Sequence, residues 1–206
     1  MRQFVVLLVF VFAGCAVGNK HSYSLARPEL APQGSGAVAV AAQDARSYVV
    51  SGEKTPDYVG TQRGGFGNPF NVLTQSGKPL AEDFAATVSE SLARKGFKST
   101  TVKVALSGTP DIRALAAQAK SERVALVRIQ EWKSDTYQNT ALSYDVTLQV
   151  YDSAGKRLAE NRITGRDDLG GSAWNPPSHA RSAIPAAYKK KLEDLFAADA
   201  IVKSLR

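Results

Sequence analysis

The sequence is poor in the residues that build metal centres and covalent crosslinks, since it has one cysteine and two histidines in 206 residues. A single thiol forms neither a disulfide within the chain nor a thiolate metal site. His21 and His179 are far apart and lie in segments broken by proline and glycine, so we expect two solvated loop residues. We therefore predict no metal and no cofactor, and a fold held by packing alone.

Long hydrophobic runs are also missing beyond the N-terminus, where residues 4–12 are all apolar. Phe12, Ala13, Gly14 and Cys15 then give a bulky apolar residue, two small residues and a cysteine, which resembles the lipobox cut by the lipoprotein signal peptidase. The resemblance implies that Cys15 begins the mature chain and carries a diacylglycerol on its sulfur and a further acyl chain, such as palmitate, on its amine. Several such chains, at about 0.8 kcal/mol per buried methylene, hold a protein on a membrane.

Two other interpretations of this run stay open. An uncleaved transmembrane helix needs about 20 apolar residues to cross about 30 Å of hydrocarbon, and the run ending at Val17 is shorter. An ordinary secretory signal, with Arg2 as its charged region and cleavage near Gly14, leaves an unpaired thiol with no purpose. Ala16 follows the cysteine where inner-membrane lipoproteins of enteric bacteria carry aspartate, and this resemblance favours the outer membrane, with the protein facing the periplasm.

Composition divides the chain into three parts. We predict a signal peptide at residues 1–14, the lipidated cysteine and a flexible tether at 15–36, and a single periplasmic α+β domain at 37–206. Residues 16–36 are predicted to be a tether because they are polar, broken by proline and glycine, and without apolar periodicity. The remaining length is sufficient for one domain with its own core.

Apolar periodicity predicts the elements of this domain. One helix runs from Pro79 to Lys95 with an apolar residue at every fourth position, a second covers 111–120, and a third begins at Pro185. Strands are predicted at 37–42, 101–104, 123–133, 142–151 and 158–167, and long irregular segments at 51–71 and 168–182. This order indicates an α+β two-layer sandwich: a mixed sheet that includes an antiparallel three-strand meander, with helices mainly on one face.

No motif in the chain specifies a reaction. The glycine-rich segment 60–67 lacks the lysine and hydroxyl of a phosphate-binding loop, and no Gly-x-Ser-x-Gly elbow occurs. Asp167 and Asp168 are adjacent on a predicted strand, so their side chains point to opposite faces. We predict that the protein is not an enzyme; an envelope hydrolase built on Asp145, Asp168 or Glu131 is an alternative that one sequence cannot test.

Five residues are candidate ligand or partner contacts: Arg63, Phe66, Trp174, Lys189 and Lys190. Arg63 and Phe66 lie in the glycine-rich segment, and Trp174 precedes two prolines in a loop suited to contact. For Trp174 the favoured alternative is a lid folded over the core, and for the lysines it is a solvated helix face. The net charge of +7 is equally consistent with binding anionic lipids or peptidoglycan and with solubility alone. Nucleic acid is not an expected partner of an exported chain.

The sequence resembles the YajG-type family of uncharacterised bacterial outer-membrane lipoproteins over most of the mature chain. The resemblance is carried by the lipobox at Cys15, the helix end at residues 92–97, the apolar strand 144–150, the hairpin 154–156 and the glycine pair 170–171 before a terminal helix. Segment 52–69 and the Trp174 loop have no counterpart in that pattern. Membership implies an envelope lipoprotein with no established activity.

Together these observations predict a membrane-anchored envelope lipoprotein that acts as a non-catalytic binding or scaffold module in the periplasm. Its expected partners are the membrane, through the lipid anchor, and another envelope protein or peptidoglycan. The alternative is an auxiliary lipoprotein of a lipid or lipopolysaccharide transport system, which would use the basic face and the aromatic loops.

Overall fold

The structure, a computed structural model, describes residues 19–206. Cys15 and the signal peptide lie outside the described residues. Within residues 19–206 the chain forms one eight-stranded mixed sheet and five helices. The strands are β1 (Lys20–His21), β2 (Ala37–Asp44), β3 (Tyr58–Arg63), β4 (Pro69–Thr74), β5 (Lys98–Thr101), β6 (Arg123–Thr136), β7 (Asn139–Asp152) and β8 (Arg157–Gly171). The helices are α1 (Ser47–Val50), α2 (Leu80–Arg94), α3 (Ile112–Ala119), α4 (Pro176–Phe196) and α5 (Asp199–Leu205).

The long strands β6, β7 and β8 form the antiparallel meander predicted from their period-two pattern. The other edge of β6 is shared by two shorter groups of strands. Residues 123–129 of β6 pair in parallel with β2, which pairs with β5, and residues 134–136 pair in parallel with β3, which continues to β4 and β1. On the edge of β6 away from the meander, the sheet is therefore divided into two separate groups of strands.

Helices cover both faces of the sheet. The helices α2, α4 and α5 bury their apolar sides against the main core, which contains Trp132, Phe84 and Tyr188. Helix α3 packs on the opposite face through Leu115 and Ala116, against alternate residues of β2 and β6. The structure is thus a mixed α/β domain, and the predicted two-layer sandwich is not confirmed, because the connection from β5 to β6 carries α3 across the second face.

Residues 19–36 do not form the flexible tether predicted for 15–36. Lys20 and His21 add a parallel strand to β4, and Tyr23 and Leu30 are buried in the main core. The Tyr23 hydroxyl accepts a hydrogen bond of 3.0 Å from the Trp132 indole. His21 is also buried, so the prediction of a solvated loop histidine is wrong. The segment is polar overall, but burying these two apolar side chains in the core is enough to hold it against the domain.

Both segments predicted to be irregular contain regular structure. Residues 58–74 form the β3–β4 hairpin, and β8 continues to Gly171. Helix α4 begins at Pro176, because Asn175 caps it by accepting a hydrogen bond from the Ser178 amide and two prolines occupy its first turn. Pro185, the predicted start, therefore lies inside this helix. The predicted α2 and α3 are confirmed within a residue or two, while α5 was not predicted.

Candidate functional site

Three loops meet at one end of the domain, which we call the loop end. They are the β3–β4 tip (64–68), the β6–β7 turn (137–138) and the β8–α4 connection (172–175). They border a groove of about 550 Å³ lined by Asn19, Arg63, Phe70, Tyr137, Ala173 and Pro176, among others. Asn19 is fixed there, since its side-chain amide donates a hydrogen bond of 2.9 Å to Gln62. Segments 51–71 and 168–182, separate in sequence, therefore contribute to one surface.

The loop end carries the two most exposed aromatic side chains of the described residues. Phe66 is 99% exposed and Trp174 is 97% exposed, and Tyr137 and Phe70 are partly exposed nearby. The favoured interpretation of Trp174 as a lid on the core is therefore wrong. The tryptophan that packs in the core is Trp132, which is fully buried and lies edge-on to neighbouring aromatic rings.

Arg63 reaches the groove as half of an ion pair. Its guanidinium donates two hydrogen bonds, of 3.0 and 2.9 Å, to the carboxylate of Asp135 on β6. The hydrogen bonds and charge of that carboxylate raise the pKa of Arg63. The pair links the end of β3 to β6 just before the β6–β7 turn, and an exposed pair of this kind contributes little to stability.

Lys189 and Lys190 do not belong to the loop end. They lie on the exposed side of α4 and pair one turn later with Glu193, at 3.9 Å, and Asp194, at 3.0 Å. Lys189 is 13 residues beyond Pro176, which corresponds to roughly 20 Å along the helix. The five predicted contact residues therefore fall into two groups, and part of the basic character of α4 is balanced by its own carboxylates.

A second concavity, which we call the α2 groove, lies along the side of the domain and has a volume of about 730 Å³. Ala42 and Asp44 at the end of β2, Thr101 and Val102 at the end of β5, and the first turns of α2 line it. Asp83 lies in its wall, where burial raises the pKa of the carboxyl and a 2.9 Å hydrogen bond from Ser76 opposes the shift. The groove therefore combines apolar walls with a small number of placed polar groups.

The floor beneath this groove is held by a buried ion pair that the sequence did not reveal. Arg46 donates hydrogen bonds of 2.8 and 2.6 Å to the carboxylate of Asp44, and the remaining guanidinium donors reach the carbonyls of Tyr58, Pro56 and Trp132. Burial disfavours the charge, but the hydrogen bonds and attraction of Asp44 outweigh it and raise the pKa of Arg46. The pair joins β2, β3 and β6, so its role is structural.

The acidic residues considered for hydrolysis are held in separate contacts. Asp145 accepts two hydrogen bonds from Arg162, and Glu131 accepts one of 2.7 Å from the Tyr48 hydroxyl. Asp168 lies further along the sheet, near the loop end, and accepts from the Asn139 side chain. Glu131 and Asp145 are register partners on β6 and β7, but each is held by a different side chain, and Asp168 lies further along the sheet from both.

Within residues 19–206, no group of three or more histidine, cysteine, aspartate or glutamate side chains is arranged to bind a metal ion. No helix in this range is both long enough and apolar enough to cross a membrane.

Comparisons with known proteins do not give a family. No protein-family model and no curated protein sequence matches the chain. Among solved structures, it is similar to a Xanthomonas campestris protein of the family DUF330, with 12% identity, coverage of 87% of this chain and 93% of that chain, and a TM-score of 0.49.

Two further structures are a hypothetical protein of Chlamydia trachomatis and a lipoprotein of Neisseria meningitidis. The first has 18% identity, covers 80% of this chain and 95% of its own, and has a TM-score of 0.48. The second has 13% identity, covers 76% of this chain and 99% of its own, and has a TM-score of 0.33. At these TM-scores the likeness assigns neither family nor function, and the resemblance to the YajG-type family stays a prediction.

Proposed function

We propose that the protein is a lipid-anchored envelope module that binds a partner and catalyses no reaction. Cys15 would hold it at the periplasmic face of the outer membrane. The single observation that supports this proposal is the lipobox, which places the one cysteine five positions before β1. The folded domain would then be attached through a link of only a few residues.

The α2 groove is the surface we propose for the partner, an envelope protein or peptidoglycan. In sheets with parallel strands, ligands bind in the crevice outside the carboxyl ends of the strands, and β2 and β5 both end in this groove. Its apolar walls and few polar groups are typical of binding sites. Asp44 pairs with Ile129, seven residues before β6 ends at Thr136, so the groove lies roughly 23 Å from the loop end.

Photocrosslinking in cells tests this proposal. A photoreactive amino acid replaces Ala86, an exposed residue of α2 that lines the groove, and the matched control replaces Ala117, an exposed alanine of α3 on the opposite face of the sheet. We expect one discrete adduct from position 86 and none from position 117. Equal adducts at both positions, or none at either, would contradict the proposed surface.

The loop-end groove supports a second candidate function, that of an auxiliary component in lipid or lipopolysaccharide transport. Its aromatic and proline side chains, at the end of the domain that holds Asn19, are suited to an acyl chain or a headgroup. Native mass spectrometry of the purified protein would show a co-purified lipid, and Phe70→Ala should reduce its occupancy. A lipid-free spectrum from gently extracted protein would remove this candidate.

A further inference from the structure

We propose that the loop end rests on an anionic phospholipid bilayer, with Phe66 and Trp174 inserted among the lipid headgroups. The inference depends on the lipid anchor of the proposed function and adds an orientation and a second membrane contact to it. The domain would then keep one orientation toward the membrane, with the loop end against the bilayer, and would not rotate freely about its lipid anchor.

The position of the anchor is the first argument. Cys15 is four positions before Asn19, and four residues span at most about 14 Å. Asn19 is fixed in the loop-end groove by its hydrogen bond to Gln62, and its carbonyl accepts from the Leu73 amide at 3.1 Å. Acyl chains on Cys15 would therefore hold this end of the domain, and no other, against the membrane.

The exposed aromatic side chains are the second argument. Phe66 and Trp174 project from the tips of two loops whose bases are fixed by the β3–β4 ladder and by the cap of α4. Tryptophan is enriched at the membrane–water interface, and phenylalanine is among the side chains that interfacial helices bury there. In water, both would expose nearly their whole apolar surface, whereas insertion beside the anchor would remove much of it from water.

The distribution of charge near Asn19 is the third argument. Lys20 and Arg181 are both exposed, and no carboxylate within residues 19–206 lies within 4.0 Å of either side chain. At this end Asp135 is paired with Arg63, whereas Asp168 accepts from the neutral Asn139 side chain and keeps its negative charge, so the two unpaired cations outnumber it. Unpaired cations close to the anchor favour a surface that contains anionic headgroups.

The chain contains its own reporter for this contact. Its two tryptophans are Trp174, at the loop end, and Trp132, fully buried in the core. The lipidated protein is reconstituted in vesicles of phosphatidylethanolamine and phosphatidylglycerol whose acyl chains are brominated close to the headgroup, since bromine quenches tryptophan emission on contact. We expect quenching of the Trp174 emission, and a shift of that emission to shorter wavelength on reconstitution.

Two variants serve as controls. Trp174→Phe leaves only Trp132 and should lose the quenching. Trp174→Phe combined with Leu158→Trp moves the exposed ring to the opposite end of β8, 13 residues and roughly 43 Å from Gly171, and should not be quenched. Equal quenching of this double variant would overturn the orientation.

Co-flotation of protein with the vesicles separates the two proposals. Protein that floats but keeps its full Trp174 emission in brominated lipid would overturn the docked orientation and leave the anchor intact. Protein purified from cells without acyl chains, which fails to float, would overturn both, since the orientation depends on the anchor.

Discussion

His21 provides a test of how the first described strand is fixed to the domain. The side chain of His21, on β1, is buried, and its Nε2 lies 3.2 Å from the hydroxyl of Ser134 on β6. Because that hydroxyl donates to the Val59 carbonyl, it is left to accept from the Nε2–H of the imidazole. Burial, with a smaller contribution from the positive charge of Arg181, lowers the pKa of His21 from 6.5 to about 4.

This shift makes stability depend on pH. The unfolded chain protonates His21 near pH 6.5, whereas the folded chain resists protonation until about pH 4. Between these values the unfolded state binds more protons, so the free energy of unfolding falls as the pH is lowered and levels off below about pH 4. At 1.36 kcal/mol per pKa unit, the full loss is about 3 kcal/mol, of which about 2 kcal/mol is lost between pH 7 and about pH 4.5.

Urea unfolding of residues 16–206, followed by the fluorescence of Trp132, measures this loss at a series of pH values. Carboxylates also titrate below pH 6, so the informative quantity is the difference from His21→Asn, which should lose about 2 kcal/mol less over the same range. His179→Gln is the matched control and should behave as the parent. Identical pH profiles for the parent and His21→Asn would refute the buried neutral histidine and, with it, the packing of residues 19–36.

Other substitutions distinguish side chains that hold the fold from side chains on its surface. Arg46→Ala leaves Asp44 buried without its partner and should cost about 3–5 kcal/mol in urea unfolding; a cost below about 1 kcal/mol would contradict the buried pair. Gly60→Ala places a methyl group 2.5 Å from the Ser134 carbonyl oxygen and should cost about 1–3 kcal/mol and weaken hydrogen-exchange protection in β3; unchanged protection would contradict that close approach. Trp174→Ala should change the unfolding free energy by no more than about 0.5 kcal/mol, and a larger loss would mean that the ring packs on the core.

The parts of the fold that the sequence predicts are those with a repeated apolar signal. Helix α2 buries a residue at every third or fourth position, and β7 buries one at nearly every second position. Helix α2 lies within one residue of its predicted bounds, while the strands of the meander extend up to four residues beyond theirs. Residues 19–36 bury single side chains, among them His21, Tyr23 and Leu30, without any repeat, so the sequence predicts a tether. The one indication of burial in the sequence is that these large side chains stand alone in an otherwise polar segment.

The candidate surfaces were predictable only in part. Glycines and prolines correctly marked loops around Phe66 and Trp174, but nothing in the sequence places these loops at one end, because that depends on the register of β3 with β6. The α2 groove depends on where β2 and β5 end relative to α2, a relation between segments that are distant in sequence. Likewise, Arg46 two residues after Asp44 does not show that its side chain turns inward rather than into water.

The lipid on Cys15 is the most direct test of the proposed function. Cells expressing the full chain are grown with an alkyne analogue of palmitate, and the protein is recovered from fractionated membranes beside a Cys15→Ser variant. We expect label in the parent protein in the outer-membrane fraction, loss of label in the variant, and an intact mass that accounts for a diacylglycerol and an acyl chain on residue 15. An unlabelled parent protein, or the full precursor in the cytosol, would contradict an anchored envelope module.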